Sequence, residues 1–223
     1  QRLYLPKLDL ELFRAEISQL CKNAGNAVLK IIVTRGVGGR GYRQPDEIQP
    51  TRILSLHPFS EYPQSFYTDG IVARICNTKL GLNPTLAGIK HLNRLEQVLA
   101  RAEWSNSEIH EGIMLDFDGR VIEGTMTNLF YVKNNQFFTA PLNLCGIKGI
   151  LRGWIFEKMP VIIEHDFYLE TLQQADEIFV CNSVMGICGV RQIENQDFKI
   201  GDMTRKLQFM LEGEKQKQVT LCS

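Results

Sequence analysis

The chain of 223 residues carries 25 Lys and Arg against 25 Asp and Glu, so its net charge is zero, with 44% hydrophobic and 22% charged residues. That balance excludes binding of nucleic acid or an anionic membrane surface through bulk electrostatics. No apolar run approaches the ~20 residues of a bilayer span, and the length suits one large domain or two modest ones with a proper core.

Leu8 to Cys21 reads as an amphipathic helix with Leu8, Leu12, Ala15, Ile17 and Leu20 as apolar members, ended by Lys22 to Asn26. Ala27 to Thr34 is rich in β-branched residues and reads as a buried strand. It enters Arg35-Gly36-Val37-Gly38-Gly39-Arg40-Gly41-Tyr42, whose glycines permit positive φ and close backbone approach. This stretch matches neither the P-loop nor the dinucleotide fingerprint. It is either a hairpin loop or a segment that points Arg35, Arg40 or Tyr42 at an anionic substrate, since arginine suits bidentate carboxylate contact. The polar run Arg43 to Pro50 holds two prolines and reads as an interdomain linker. The expected division is 1–44 as a small domain, 45–50 as linker and 51–223 as a large domain.

Arg52 to Leu56 and Gly70 to Cys76 read as strands. A loop from Gly81 to Gly88, with Asn83-Pro84 in it, leads to Lys90. Lys90 follows Ala87, Gly88 and Ile89. Partial burial there would lower its pKa and leave a nucleophilic amine, as Schiff-base chemistry requires. The alternative is an ordinary surface lysine with its stem along apolar groups. Leu92, Leu95, Val98, Leu99 and Ala102 then recur at spacings of three and four, opposite Arg94, Glu96, Gln97 and Arg101. A helix packing that apolar side onto a core is expected.

Ile113 to Phe117 and Arg120 to Gly124 form a hairpin about Asp118-Gly119. Asn128 to Val132 and Gln136 to Thr139 form a second about Asn134-Asn135. Glu123 closes its strand, either as a solvated strand-end carboxylate or as an acid held deep in a site. The loop Pro141 to Gly149 opens a helix running from Ile150 to about Lys158. The first N–H groups of a helix lack internal partners, so this start suits an anion, as well as being an ordinary helix start. Val161 to Glu164 reads as a strand, Leu169 to Ala175 as a short helix and Glu177 to Cys181 as a buried strand. The last ends at Asn182-Ser183-Val184-Met185-Gly186, whose free N–H groups suit the same anion. Met203 to Glu212 reads as a helix, and Glu214 to Ser223 as a frayed polar tail. The six cysteines and four histidines are scattered and contain no CxxC pair. They read as reduced thiols without a metal centre or disulfide framework, and with no signal-peptide pattern a cytoplasmic location is expected.

Four stretches carry a resemblance. Ala87-Gly88-Ile89-Lys90-His91-Leu92-Asn93-Arg94-Leu95-Glu96-Gln97-Val98-Leu99 resembles the active-lysine segment of the aminodeoxychorismate lyases. These belong to the fold-type IV pyridoxal-phosphate group, with branched-chain and D-amino-acid transaminases. Asp118 to Gly124 leading to Asn128-Leu129-Phe130 is similar to that group's cofactor-glutamate segment. Gly146-Ile147-Lys148-Gly149-Ile150-Leu151-Arg152 is similar to its phosphate-loop helix, and Ala175 to Ser183 to its second phosphate-binding turn.

The resemblance implies an α/β (α+β) fold of two domains. The larger C-terminal one has a β-barrel-like sheet core and flanking helices. The group also carries strands and a phosphate-binding arginine ahead of Leu8 that this sequence lacks, so the small N-terminal domain is expected to be incomplete. By the same resemblance the cofactor is pyridoxal 5'-phosphate. Lys90 holds it covalently and acts as general base, and Glu123 pairs with its ring nitrogen. The N–H groups of Ile150 and Leu151, with Ser183 and Asn182, hold its phosphate. In some relatives a threonine follows the isoleucine, so Leu151 here supplies only its N–H. The implied reaction turns the small molecule 4-amino-4-deoxychorismate into 4-aminobenzoate and pyruvate, in a homodimer, on the way to folate. A fold-type IV aminotransferase and a catalytically silent homologue are the alternative readings.

Overall fold

The computed structural model describes residues 2–59 and 61–222, with side chains through Lys217. The chain divides into two compact units, Gln1–Glu61 and Tyr62–Ser223.

The N-terminal unit holds helix α1 (Leu10–Cys21) and strands β1 (Ala27–Thr34) and β2 (Thr51–Pro58), which pair antiparallel. Asp9 caps α1, its Oδ1 accepting the N–H groups of Glu11 and Leu12 at 3.1 Å each. Leu12, Ala15 and Leu20 of the expected apolar side are exposed. β1 is a strand as expected, yet none of its residues is buried, because its sheet has only two strands. Residues 35–50 connect the two strands of this hairpin. The run read as an interdomain linker therefore lies inside one unit, and β2, assigned by sequence to the large domain, belongs with β1.

The second unit comprises α2 (Gln64–Thr68), β3 (Ile71–Ile75), α3 (Leu95–Arg101), β4 (Glu111–Leu115), β5 (Val121–Gly124), β6 (Asn128–Lys133), β7 (Gln136–Thr139), α4 (Ile150–Lys158), β8 (Ile162–Glu164), α5 (Leu169–Gln173), β9 (Glu177–Asn182), β10 (Gly186–Ile193), β11 (Gln196–Asp197) and α6 (Asp202–Cys222). The pairings β10–β3, β3–β4, β4–β5, β5–β6, β6–β9 and β9–β10 return to their start, so six strands close a barrel. Closure leaves no free edge among those strands. β11 extends from β10, while β7 and β8 extend from β6.

Both hairpins follow from turn chemistry. Gly119 has φ +83°, and Asn134 and Asn135 have φ 50° and 60°, the left-handed region that these residue types tolerate. One apolar cluster, including Ile71, Ile113, Leu129 and Val180, fills the centre of the unit. A second lies between the sheet and helices α4 and α6, where Leu151, Ile155 and Leu207 meet Phe130, Phe179 and Ile187. Phe130 and Phe179 stack there with centroids 5.0 Å apart. β10 is not apparent from periodicity, because Gly186 and Gly189 interrupt it. Gly189 leaves room for Ile200, whose Cδ1 would stand 2.6 Å from an added Cβ. The segment read as a frayed tail continues α6 to Cys222, and Ser223 lies outside the described residues.

Candidate active site

The site grows from the ends of β5 and β6, where Glu123 pairs with Asn128 across a tight turn. The buried Glu111 carboxylate holds that turn. It accepts the Thr125 N–H at 3.0 Å, the Thr125 hydroxyl at 2.6 Å and the Thr127 hydroxyl at 2.8 Å. Asn128 then ties down the loop ahead of α4. Its Nδ2 donates to the Ile147 carbonyl at 2.7 Å, and its Oδ1 accepts the Gly149 N–H at 3.1 Å. Any side chain at position 149 would collide with Asn128 Oδ1.

The same loop reaches Glu123 and the Lys90 segment. The Ile147 N–H donates to Glu123 Oε2 at 2.8 Å, and Asn128 Nδ2 lies 3.5 Å from that oxygen. The Gly88 N–H donates to the Gly146 carbonyl at 2.8 Å, and the Lys148 N–H to the Gly88 carbonyl at 3.1 Å. Gly88 and Gly146 both take φ +79°, a conformation costly for any residue with a Cβ. Arg94 folds the chain about the lysine, donating from Nη2 to the Ile89 carbonyl and from Nε to the His91 carbonyl, both at 3.0 Å.

Glu123 is 2% exposed. Burial pushes its pKa up to about 7, against the Ile147 N–H, the Arg94 and Lys90 cations and the Gln97 carboxamide, which favour the carboxylate. Glu123 is therefore a buried carboxylate and not a solvated one at a strand end. Burial likewise holds the pKa of Arg94 down, opposed by the Glu123 and Glu96 carboxylates. His91 titrates below its ordinary range through burial and the Arg94 charge, and its Nδ1 is buried without a partner. Lys90 differs from expectation. Its side chain is exposed rather than partly buried, although it stays within electrostatic reach of Glu123.

Helix α3 starts at Leu95 rather than at the lysine, and its packing is the reverse of the one expected. Leu92, Leu95, Val98 and Leu99 are 60–69% exposed, while Gln97 and Ala100 face inward. Periodicity locates an apolar stripe but does not say what covers it.

The N-terminus of α4 carries no side-chain cap. Ile150 is exposed there and Leu151 buried, and their N–H groups are among those that a helix leaves without internal partners. The turn after β9 is less open than expected. Asn182 Oδ1 accepts the N–H groups of Val184 at 2.9 Å and Met185 at 2.7 Å, and its Nδ2 donates to the Met126 carbonyl at 3.2 Å. The Asn182 side chain thus shapes this turn. Ser183 is left exposed beside it.

Arg35, Arg40 and Tyr42 lie in the N-terminal unit. Arg35 Nη1 donates to the Leu3 carbonyl at 2.9 Å, and Arg40 and Tyr42 are exposed. Asn128 and Gln97 adjoin Glu123, and sequence reasoning passed over both. The one available signal was the place of Asn128 opposite Glu123 across a hairpin turn. Among the described residues, no group of three or more His, Cys, Asp or Glu side chains is arranged to hold a metal, and no helix is long and apolar enough to cross a membrane.

A buried carboxylate facing a lysine across a loop that leads into an uncapped helix is an arrangement with known relatives. The pattern of the class IV aminotransferases matches residues 1–193. The chain belongs to that family. It is 39% identical over 191 residues to an aminodeoxychorismate lyase of Vibrio harveyi, covering 82% of this chain and 70% of that one. It is 30% identical over 195 residues to a D-alanine aminotransferase of Staphylococcus haemolyticus, covering 83% and 67%. The crystal structure of a 4-amino-4-deoxychorismate lyase from Pseudomonas aeruginosa superimposes with a TM-score of 0.90 at 42% identity, over 95% of this chain and 80% of that one.

Proposed function

We propose that this protein is a pyridoxal-phosphate-dependent lyase that converts 4-amino-4-deoxychorismate into 4-aminobenzoate and pyruvate. One observation carries the chemistry: Lys90 and a fully enclosed Glu123 are drawn together by the loop of residues 146–149. The likeness to two aminodeoxychorismate lyases, at 39% and 42% identity, carries the choice of substrate.

The donor set fits the cofactor. The Ile147 and Asn128 hydrogen bonds to Glu123 fall on Oε2, so Oε1 could pair with a ring N–H. The uncapped start of α4 offers the N–H groups of Ile150 and Leu151 to the phosphate, and the exposed Ser183 hydroxyl adds a further donor. Pyridoxal phosphate, when bound, supplies an electron sink for the pair released as the substrate proton leaves. The protein's part is to place groups around that event. Lys90 Nζ is the amine that holds the cofactor and afterwards takes the proton. Ile147 and Asn128 fix the Glu123 carboxyl group in place, so little reorganisation is needed as charge develops. Arg94 keeps the lysine segment folded and adds positive charge beside Glu123. Aromatisation of the product ring provides much of the driving force. Arg35, Arg40 and Tyr42 of the N-terminal unit are side chains of a kind that binds carboxylates.

We assign the protein to a cytoplasmic homodimer on the folate route. The exposed Leu92, Leu95, Val98 and Leu99 form an apolar patch of the kind that a second copy covers, and the five described cysteines are all free thiols. The test is incubation with pyridoxal phosphate, reduction with borohydride and peptide mapping, followed by assay of 4-aminobenzoate and pyruvate. An adduct on Lys90 and formation of both products are expected. An adduct elsewhere, or none, would overturn the chemistry. The likeness to a D-alanine aminotransferase favours one competing reading, and a keto acid formed with a transferred amine, in place of 4-aminobenzoate, would support it.

A further inference from the structure

The inward face of α3 holds a group with no evident purpose in packing. Gln97 is 8% exposed, and neither Nε2 nor Oε1 of its carboxamide makes a hydrogen bond of good geometry. The carboxamide nonetheless lies close enough to Glu123 for a hydrogen bond of imperfect geometry, which favours the ionised carboxylate. An unpaired buried amide is destabilising, and a leucine or methionine of similar volume would avoid the penalty. Glu123 has the complementary vacancy. Its Oε2 takes the Ile147 N–H and the Asn128 amide, whereas no described hydrogen bond falls on Oε1.

We propose that Gln97 is a positioning residue for Glu123: its carboxamide closes onto the carboxylate and holds Oε1 in place for the cofactor's ring nitrogen. The proposal rests on the reading of Glu123 as that nitrogen's partner. Helix α3 already turns Gln97 and Ala100 inward. Several groups face Glu123. Lys90 and Arg94 approach from the segment leading into α3, and Gln97 from α3 itself. Asn128 approaches from β6, and the Ile147 N–H and the neutral Cys145 thiol from the loop ahead of α4. Gln97 is an uncharged amide donor that is not already engaged elsewhere, so it can tune the carboxylate without adding charge.

The test uses Gln97→Met, which keeps volume and removes both polar atoms, with Gln97→Leu as a second variant in case one fails to fold. The cofactor-free protein is labelled with carboxyl-carbon-13 glutamate, and the Glu123 resonance is identified by its loss in Glu123→Gln. The Glu123 midpoint, about 7 in the parent, is expected to rise by about 1 in the variant, a tenfold change in its ionisation constant. A folded variant whose Glu123 titrates as in the parent would overturn the proposal. Affinity is then compared for pyridoxal phosphate and for its analogue with a ring CH in place of the nitrogen. Gln97→Met is expected to weaken only the former, by about tenfold. Equal losses for both would show a merely structural role. Failure of the parent to form a borohydride adduct at Lys90 would instead count against the cofactor reading. A shifted Glu123 titration would still establish the Gln97 contact.

Discussion

Replacing Glu123 by Gln should change how stability depends on pH. In the folded protein burial pushes the Glu123 pKa up to about 7, against an ordinary value of 4.5. The folded state therefore keeps a proton that the unfolded chain has already lost between those two values. The sign follows from linkage: the contribution is fully present below about pH 4.5 and is lost as pH rises through about 7. A gap of about 2.5 at 1.36 kcal/mol per pH unit gives about 3 kcal/mol. Glu123→Gln cannot ionise, so it lacks this dependence while keeping the shape of the neutral acid. Urea unfolding of both cofactor-free proteins from about pH 4 to about pH 8 measures the effect. The parent should lose about 3 kcal/mol relative to Glu123→Gln across that range, most steeply between pH 5 and 7. Parallel profiles, within about 0.5 kcal/mol, would refute the claim that Glu123 is an enclosed acid whose proton the fold retains.

Asn128→Ala should leave the Ile147 carbonyl and the Gly149 N–H without partners, at about 1–3 kcal/mol for each, seen as a lowered urea midpoint and weaker binding of pyridoxal phosphate. Gly88→Ala places a Cβ at φ +79° and 3.2 Å from Lys148 Cγ; a loss of about 1–2 kcal/mol is expected, and an unchanged midpoint would contradict it. Iodoacetamide should leave Cys76, Cys145, Cys181 and Cys188 unmodified in the folded protein, because burial pushes each thiol up to about 12, whereas the partly exposed Cys21 should react. Mass spectrometry of tryptic peptides reads this directly.

The sequence by itself determined the features with local causes. The hairpin about Asp118-Gly119 and the one about Asn134-Asn135 form where expected, because residues able to take positive φ sit between alternating strands. Helix α4 runs from Ile150 to Lys158 as read, since the glycine loop ahead of it and the spacing of Leu151, Ile155 and Met159 mark its limits. The order of lysine, glutamate and helix start was also legible, because their neighbours in the chain carry the resemblance.

Only the tertiary structure decided what those residues experience. Glu123 becomes an enclosed acid because Ile147, 24 residues later, folds back onto its carboxylate. The contacts of Asn128 depend on a loop 19 to 21 residues away, and the Asn182 side chain engages the backbone of its own turn. Helix α3 shows the limit most plainly. Its apolar stripe is real, yet the fold turns Gln97 and Ala100 inward and leaves the leucines outside. Backbone preferences act between neighbours and can be read along the chain. Burial and hydrogen-bond partners come from residues far apart in sequence, and only the closed barrel brings them together.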